Sequence, residues 1–407
     1  MMRVLLILFP FAWRNLWRNW RRTLITLLVV SIGVWSILAF NAFIRGWSDS
    51  SLRGSLKNMT AQIQVHAPGY LDNPDMAHHF TLTAPLRAEL NSPGVRQWAP
   101  RIRIPAIVQS EYKTLPVSLV GIRPAAEAGV SFIAQCPVSG QHLQNQQDAA
   151  VLIGRHLAER LKTRVGKRLV IMANDANGKV QERGVIIKGI YSSSQPMEDN
   201  FLFTGLVPAQ QFAHAGTALS EIALMTNTPP GMASVLKQLK ASAPGLDIQS
   251  WETLKPMTKG IHDLTDGFVY VWLWVMFVLI AIGVVNTQLM AVFERTREFG
   301  LLQALGFRPG WVMLEVLLEA LQIIGFGVLL GAVAALLTVY SLKGGISLAG
   351  LEAGTDFLGI EQVIYPRLEW REFFITIAVV WGLGVMTALW PARRATRFNA
   401  IEAMRST

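Results

Sequence analysis

The chain has 407 residues, of which 51% are hydrophobic and only 16% charged, with a formal net charge of +10 and a mean hydropathy of +0.35. That composition excludes an ordinary soluble domain and an intrinsically disordered chain, neither of which carries so much apolar surface on so few charges. The excess charge sits in short segments beside apolar runs, so it reads as membrane topology, not as a nucleic-acid footprint.

Met1-Met2-Arg3 and the apolar residues after it resemble the start of a signal peptide, but no small-residue cleavage site follows. Read as a helix, residues 1–23 place Phe9, Trp13, Leu16, Trp17 and Trp20 on one face, with Arg14, Asn15, Arg18, Asn19, Arg21 and Arg22 largely opposite. The pattern predicts an uncleaved interfacial helix anchored to the membrane surface by Arg14, Trp17, Arg18, Trp20, Arg21 and Arg22, its aromatics in the headgroup region and its arginines toward anionic lipid.

Four apolar runs then qualify as spans. Residues 24–44, 268–293, 320–342 and 373–390 carry no charge over 21, 26, 23 and 18 positions, against about 20 helical residues for a bilayer core. The expected layout is a first span at 24–45, an external domain at 46–266, a second span at 267–293 and a connector at 294–310. A third span at 311–342, a loop at 343–372, a fourth span at 373–390 and a tail at 391–407 complete it. The N-terminal segment, the connector and the tail hold Arg3, Arg14, Arg18, Arg21, Arg22, Arg295, Arg297, Arg308, Arg393, Arg394, Arg397 and Arg405 against Glu294, Glu298 and Glu402 alone. Basic residues stay inside, so both termini and the connector are expected on the cytoplasmic side of a bacterial inner membrane, with the large domain periplasmic.

The external domain reads as mixed α/β. Strict alternation at 61–67 and 101–104, a short buried strand at 151–153, further strands near 169–172, 184–191, 221–226 and 247–251, and helices near 155–162 and 232–239 are interspersed with turn signals. Two lobes are expected, one from roughly 60–120 with 220–252 and the other from 121–219, on helical stalks that continue the first two spans. The fold class is therefore an α-helical integral membrane protein with four transmembrane helices and a large mixed α/β domain between spans 1 and 2. Cys136 is the lone cysteine, so no intrachain disulfide supports the domain, and Cys136 reads as a buried thiol.

Chemistry of the catalytic kind has little purchase. No Gly-rich phosphate loop with Lys and Ser/Thr is present, so the chain has no means to hydrolyse ATP by itself. No Gly-x-Ser-x-Gly elbow is found. Asp72, Asp75, His78 and His79 cluster, yet Asp-Asn-Pro-Asp is first a turn signal, and the bland reading outweighs a metal site. Two features are sharper. Glu315 and Glu319 lie one helical turn apart at the start of the third span, an intramembrane polar site either facing the bundle or reaching the interface. The connector carries Glu294, Arg295, Arg297, Glu298, Phe299, Gly300, Leu302, Leu305 and Gly306 in an amphipathic pattern closed by Gly306 and Pro309. A plain turn needs no such helix, and a helix gripped by another protein does.

The Ala12-Trp13-Arg14-Asn15-Leu16 entry, the Glu294-Arg295-Thr296-Arg297-Glu298-Phe299-Gly300 connector with Ala304-Leu305-Gly306, and the Pro391-Ala392-Arg393-Arg394-Ala395 exit together resemble the MacB/FtsX-type ABC transporter permeases. Residues 151–161 with Val165-Gly166 resemble their periplasmic core domain. The resemblance implies a permease paired with a second copy or paralogue, and two copies of a separate ATPase that hold the ATP and Mg, this chain binding no cofactor itself. It implies a connector helix docked into the ATPase through Arg295, Glu298, Phe299, Leu302 and Leu305, motion passed through the stalks to the periplasmic domain, and a periplasmic carrier or adaptor as a further partner beside membrane lipid. In layout the chain is most similar to the lipoprotein-releasing permeases, LolC and LolE in type. The alternatives are an ATPase-coupled signalling or scaffold protein that activates an envelope enzyme, an exporter of peptide or drug working with an adaptor, and a membrane-anchored external hydrolase.

Overall fold

The computed structural model describes residues 2–228, 231–347 and 363–395, with side chains from residue 9 onward. The tail beyond residue 395 and positions 348–362 of the loop at 343–372 lie outside the described residues. The described residues separate into two compact units, one of residues 49–262 and the other of residues 2–48, 263–347 and 363–395.

The membrane unit opens with α1 (Met2–Arg18) and α2 (Trp20–Ser55). The interfacial segment is thus shorter than its sequence pattern, because the helix breaks at Asn19. There the Asn19 carbonyl accepts from both Arg22 and Thr23 N–H, and the Thr23 hydroxyl donates to Leu16 O at 2.6 Å. Trp20, Arg21 and Arg22 consequently belong to the first turn of the first long helix.

Past α2 a single π-turn, Leu56–Thr60, ends in a left-handed Met59 (φ +67°). A non-glycine residue there costs about 1–2 kcal/mol. Two hydrogen bonds into the Met59 carbonyl, from Arg101 Nη1 (2.8 Å) and Gln64 Nε2 (3.1 Å), offset it. The extramembrane unit then runs β1 (Ile63–His66), α3 (Ala84–Leu90), β2 (Val95–Gln109), β3 (Thr114–Ile122), α4 (Pro124–Glu127), β4 (Val138–Gly140), β5 (Val151–Gly154) and α5 (Arg155–Arg160). It continues with β6 (Arg168–Asn174), β7 (Val180–Tyr191), α6 (Gln195–Asn200), β8 (Phe201–Gly205), α7 (Leu206–Phe212), β9 (Glu221–Thr226), α8 (Met232–Ser242), β10 (Asp247–Ser250) and α9 (Trp251–Leu254).

These strands form a ten-stranded sheet in the order β10-β1-β9-β2-β3-β8-β5-β7-β4, with β6 bridging β2 and β7. The β3–β8 and β5–β7 pairs are parallel and the others antiparallel. β2 is long enough to serve both halves, its first part pairing β9 and its last four residues pairing β6. Strand alternation puts Ile102, Ile104, Ala106 and Val108 into the main core with Leu169, Ile171 and Leu224. Arg101 and Arg103 alternate to the other face.

That other face is covered around Arg101, which is fully buried. Its Nε and Nη2 bind Glu127 at 2.7 and 2.8 Å, and Nη1 binds Glu221 at 2.6 Å. Arg103 Nε lies 3.0 Å from the other Glu221 oxygen. Two cations thus balance two buried carboxylates, which is what makes their burial tolerable. Burial by itself would raise the Glu221 pKa, but Arg103 and Arg101 outweigh it and hold the group below the usual carboxylate range. Beside this network a second small core gathers Met59, Ile133, Cys136, Tyr191 and Phe203. The Asp75 carboxylate organises a turn, accepting from His78 Nδ1 (2.8 Å) and from the N–H of Ala77 (3.0 Å).

Returning to the membrane unit, α10 (Pro256–Glu294), α11 (Thr296–Ala304), α12 (Pro309–Ser341) and α13 (Trp370–Ala395) follow, with a two-residue ladder between β11 (Ile346–Ser347) and β12 (Val363–Ile364). Among the described residues α2, α10, α12 and α13 are the helices long and apolar enough to cross a membrane. Gly327 and Gly331 of α12 let α2 approach so closely that a Cβ would lie 2.6 Å from Val30 and 2.5 Å from the Ser31 carbonyl. Gly384 of α13 likewise faces Ile324, whereas a Cβ on Gly382 of the same helix would meet open space.

Two outcomes are expected. The stabilisation from Glu221, whose folded pKa lies below its unfolded value near 4.5, is complete above that value and lost as pH falls through the folded one. Glu221→Gln should therefore cost about 3–5 kcal/mol at pH 7, and the gap to the native chain should close below pH 4.5, read from urea midpoints of the extramembrane domain. Burial pushes the Cys136 thiol up to about 11, so maleimide should leave it unlabelled at pH 7 until the domain unfolds, as mass spectrometry would show.

Candidate functional site

The polar groups of the membrane unit converge where α1, α10, α11, α12 and α13 meet. α10 ends at Glu294, and Arg295 (φ −105°, ψ 9°) breaks the helix for one residue before α11 begins. The break turns the Arg295 side chain inward, where its Nη2 lies 2.6 Å from Glu315 Oε1 and its Nη1 3.0 Å from Glu319 Oε1. Its Nε binds Glu298 Oε2 at 3.0 Å. Burial opposes the charge on Arg295, but Glu319 and Glu315 more than compensate and raise its pKa further.

The Phe299 ring lies beneath the guanidinium, 4.9 Å from centroid to Cζ, and is itself wholly buried. It packs among Val292 of α10, Val312 and Val316 of α12, and Ala392 and Ala395 of α13. α11 closes at Gly306, whose φ of +91° suits glycine. Around it the Gly306 N–H bonds to Gln303 O and the Phe307 N–H to Leu302 O, a C-terminal seal that lets Pro309 begin α12 at once.

α1 is tied into the same cluster. Asn15 Nδ2 donates to Glu315 Oε1 at 3.0 Å, and Arg18 pairs with Glu298 at 3.0 Å. Asn19 and Arg22 both reach Glu294, at 3.0 and 2.9 Å. Although burial works against it, hydrogen bonds from Arg18 and Arg295 hold the Glu298 pKa below its ordinary value. Among the described side chains of α1, Ala12 and Leu16 are buried, while Trp17 and, at the start of α2, Trp20 stay more than half exposed. Arg14 and Arg21 are exposed.

This placement corrects the connector expectation in part. Arg295 and Phe299 cannot meet another protein, because ion pairs and packing within the chain consume them, and Glu298 is shared between Arg18 and Arg295. Gly300 is buried and Leu302 and Gln303 are half-buried. The outward face of α11 is instead Arg297, Leu301 and Leu305, the last two 51% and 74% exposed, followed by Gly306 and Phe307. Leu301 and Phe307 were not singled out by the sequence pattern. Glu315 and Glu319, left open between bundle and interface, face the bundle. What the sequence reading missed was the identity of their cation; two carboxylates one turn apart at the end of an apolar helix call for one, but do not say which.

A four-span bundle with a large sheet domain inserted between spans 1 and 2, and a short connector helix clamped at one end, defines an ABC transporter permease subunit rather than an enzyme. The MacB-like periplasmic core domain family matches residues 23–242 and the FtsX-like permease C-terminal family matches residues 270–400, so the chain belongs to the MacB/FtsX-type permeases. It is 20% identical to the lipoprotein-releasing system transmembrane protein LolC of Neisseria meningitidis over 94% of both chains. It is 20% identical to the corresponding LolE of Haemophilus influenzae over 77% of this chain and 78% of that one. The crystal structure of the periplasmic region of MacB from Actinobacillus actinomycetemcomitans aligns at 14% identity and a TM-score of 0.36, covering 51% of this chain and 95% of that one. The family implies an ATPase partner, and the domain at 49–262 is of the periplasmic type.

Arg295→Gln should leave Glu315 and Glu319 buried without a cation and destabilise the membrane unit by about 3–5 kcal/mol. Combining it with Glu315→Gln and Glu319→Gln should recover most of that loss. Arg297→Gln on the outer face should stay within about 0.5 kcal/mol. Thermal melts of the purified protein check all three.

Proposed function

We propose that this chain is the subunit through which a separate ATPase, present in two copies and holding ATP and Mg, drives extraction of lipoproteins or other hydrophobic substrates from a bacterial inner membrane. The observation that carries the reading is the division of labour on α11. One face is fixed to α10, α12 and α13 by Arg295 and Phe299, and the other presents Arg297, Leu301 and Leu305 outward. A helix that transmits force must be rigid toward its own bundle and apolar toward the part that pushes it, as interface anchors are. Similarity to LolC and LolE along most of the chain supports the lipoprotein class of substrate. Both termini and α11 would be cytoplasmic, as the distribution of arginine requires, with a second permease copy or paralogue and a periplasmic carrier completing the machine.

The test uses Leu301→Asp with Leu305→Asp, which leaves the buried pairs untouched. The expected result is normal membrane insertion, loss of the co-purifying ATPase and loss of ATP-driven release of acylated protein from proteoliposomes. Glu298→Arg would not discriminate, because it also breaks the pairs to Arg18 and Arg295. Retention of the ATPase by the double variant would overturn the coupling role of α11. An ATPase that co-purifies with the native chain without any release of acylated protein would instead favour activation of an envelope enzyme, or export of a peptide or drug with an adaptor.

A further inference from the structure

Between α1, α2 and α12 lies a cavity of about 290 Å³ lined almost wholly by apolar groups, among them Trp13, Leu16, Trp17, Trp20 and Phe326. Thr23, the one hydroxyl in the lining, spends its proton on the Leu16 carbonyl. The walls are braced before anything enters. Trp13 packs on Phe326 with ring centroids 5.2 Å apart and edge-on against Trp17 at 5.8 Å. α1 is held to α12 by the bond from Gln322 Nε2 to Phe9 O at 3.1 Å and by Ala12 against Leu318. A pre-formed groove takes its occupant without the ordering cost that a flexible surface would incur.

Charge then selects the occupant. Arg18 and Arg22 are committed to Glu298 and Glu294. Arg14 and Arg21 belong to no ion pair among the described residues, and Arg21 lies over the Trp20 ring, 5.7 Å from its centroid, beside the cavity. Two uncompensated cations, Arg21 over one lining tryptophan and Arg14 next in sequence to another, suit a ligand with a hydrocarbon tail and an anionic head. We propose that this groove is a binding site for one acyl chain of an anionic glycerophospholipid, whose phosphate is held by Arg14 and Arg21. The site is independent of whichever substrate the permease moves.

The test is native mass spectrometry of the full-length protein titrated with dioleoyl phosphatidylglycerol or dioleoyl phosphatidylcholine. One phosphatidylglycerol per chain should be retained in preference to phosphatidylcholine. Arg14→Gln and Arg21→Gln should each lower that preference about fivefold. Leu330→Trp, at a half-exposed lining position, should fill the slot and abolish retention of either lipid. A thermal melt like that of the native chain, with Cys136 still protected from maleimide, serves as the control that each variant is folded. Equal retention of the two lipids, or retention unchanged in both arginine variants, would overturn the proposal. So would a photocrosslinker at Trp17 that captures protein, whether a second copy of this chain or another subunit, and no lipid.

Discussion

Two carboxylates, Glu315 and Glu319, sit within the first three turns of an otherwise apolar helix, nearly out of contact with solvent. A charge removed from water is tolerated only beside an opposite charge with its hydrogen bonds filled, and the arrangement of the surrounding helices follows from that requirement. Arg295 is drawn inward, so α10 cannot run on into α11. The turn carries Phe299 beneath the guanidinium and into the seam of α10, α12 and α13. The acceptor capacity that remains on Glu315, Glu298 and Glu294 then captures Asn15, Arg18, Asn19 and Arg22 from the N-terminal segment. A segment that could have floated at the membrane surface is instead part of the bundle.

The extramembrane unit solves a related problem by the same means. The chain leaves the π-turn after α2 through a left-handed Met59, and the Arg101 that stabilises its carbonyl is fully buried between Glu127 and Glu221. In each unit an arginine surrounded by carboxylates fixes a place where a helix gives way to another element. Buried ion pairs are poor contributors to net stability but severe penalties against misplacement, since separating the partners leaves a charge stranded. In a protein whose other contacts are largely apolar, and so forgiving of small slips, such pairs hold the register.

The connector helix shows why an amphipathic pattern does not by itself say which face meets what. Phe299, Leu302 and Leu305 share a spacing, yet Phe299 is buried, Leu302 half-buried and Leu305 open. On a helix of nine residues bounded by two bends, the inward stripe is chosen by the neighbours it packs on, and here they come from α10, α12 and α13, far apart in sequence.

Local chemistry was enough to read the four spans, the break at Gly306 and Pro309, the mixed α/β class of the inserted domain and the family motifs, because each rests on hydrophobic run length, backbone preference or nearby spacing. Longer-range decisions were hidden. The β2 strand was legible only at 101–104, since β3, its antiparallel partner, and β6 supply the burial that extends it to Gln109. β8 was missed because its parallel partner β3 lies some eighty residues earlier. Most of all, sequence determined that Arg295, Glu315 and Glu319 had to be accounted for at a membrane boundary, while only the tertiary structure decided that they account for one another. The reason is that the charge pairing depends on how α10, α11 and α12 fold back together, a geometry no local pattern encodes.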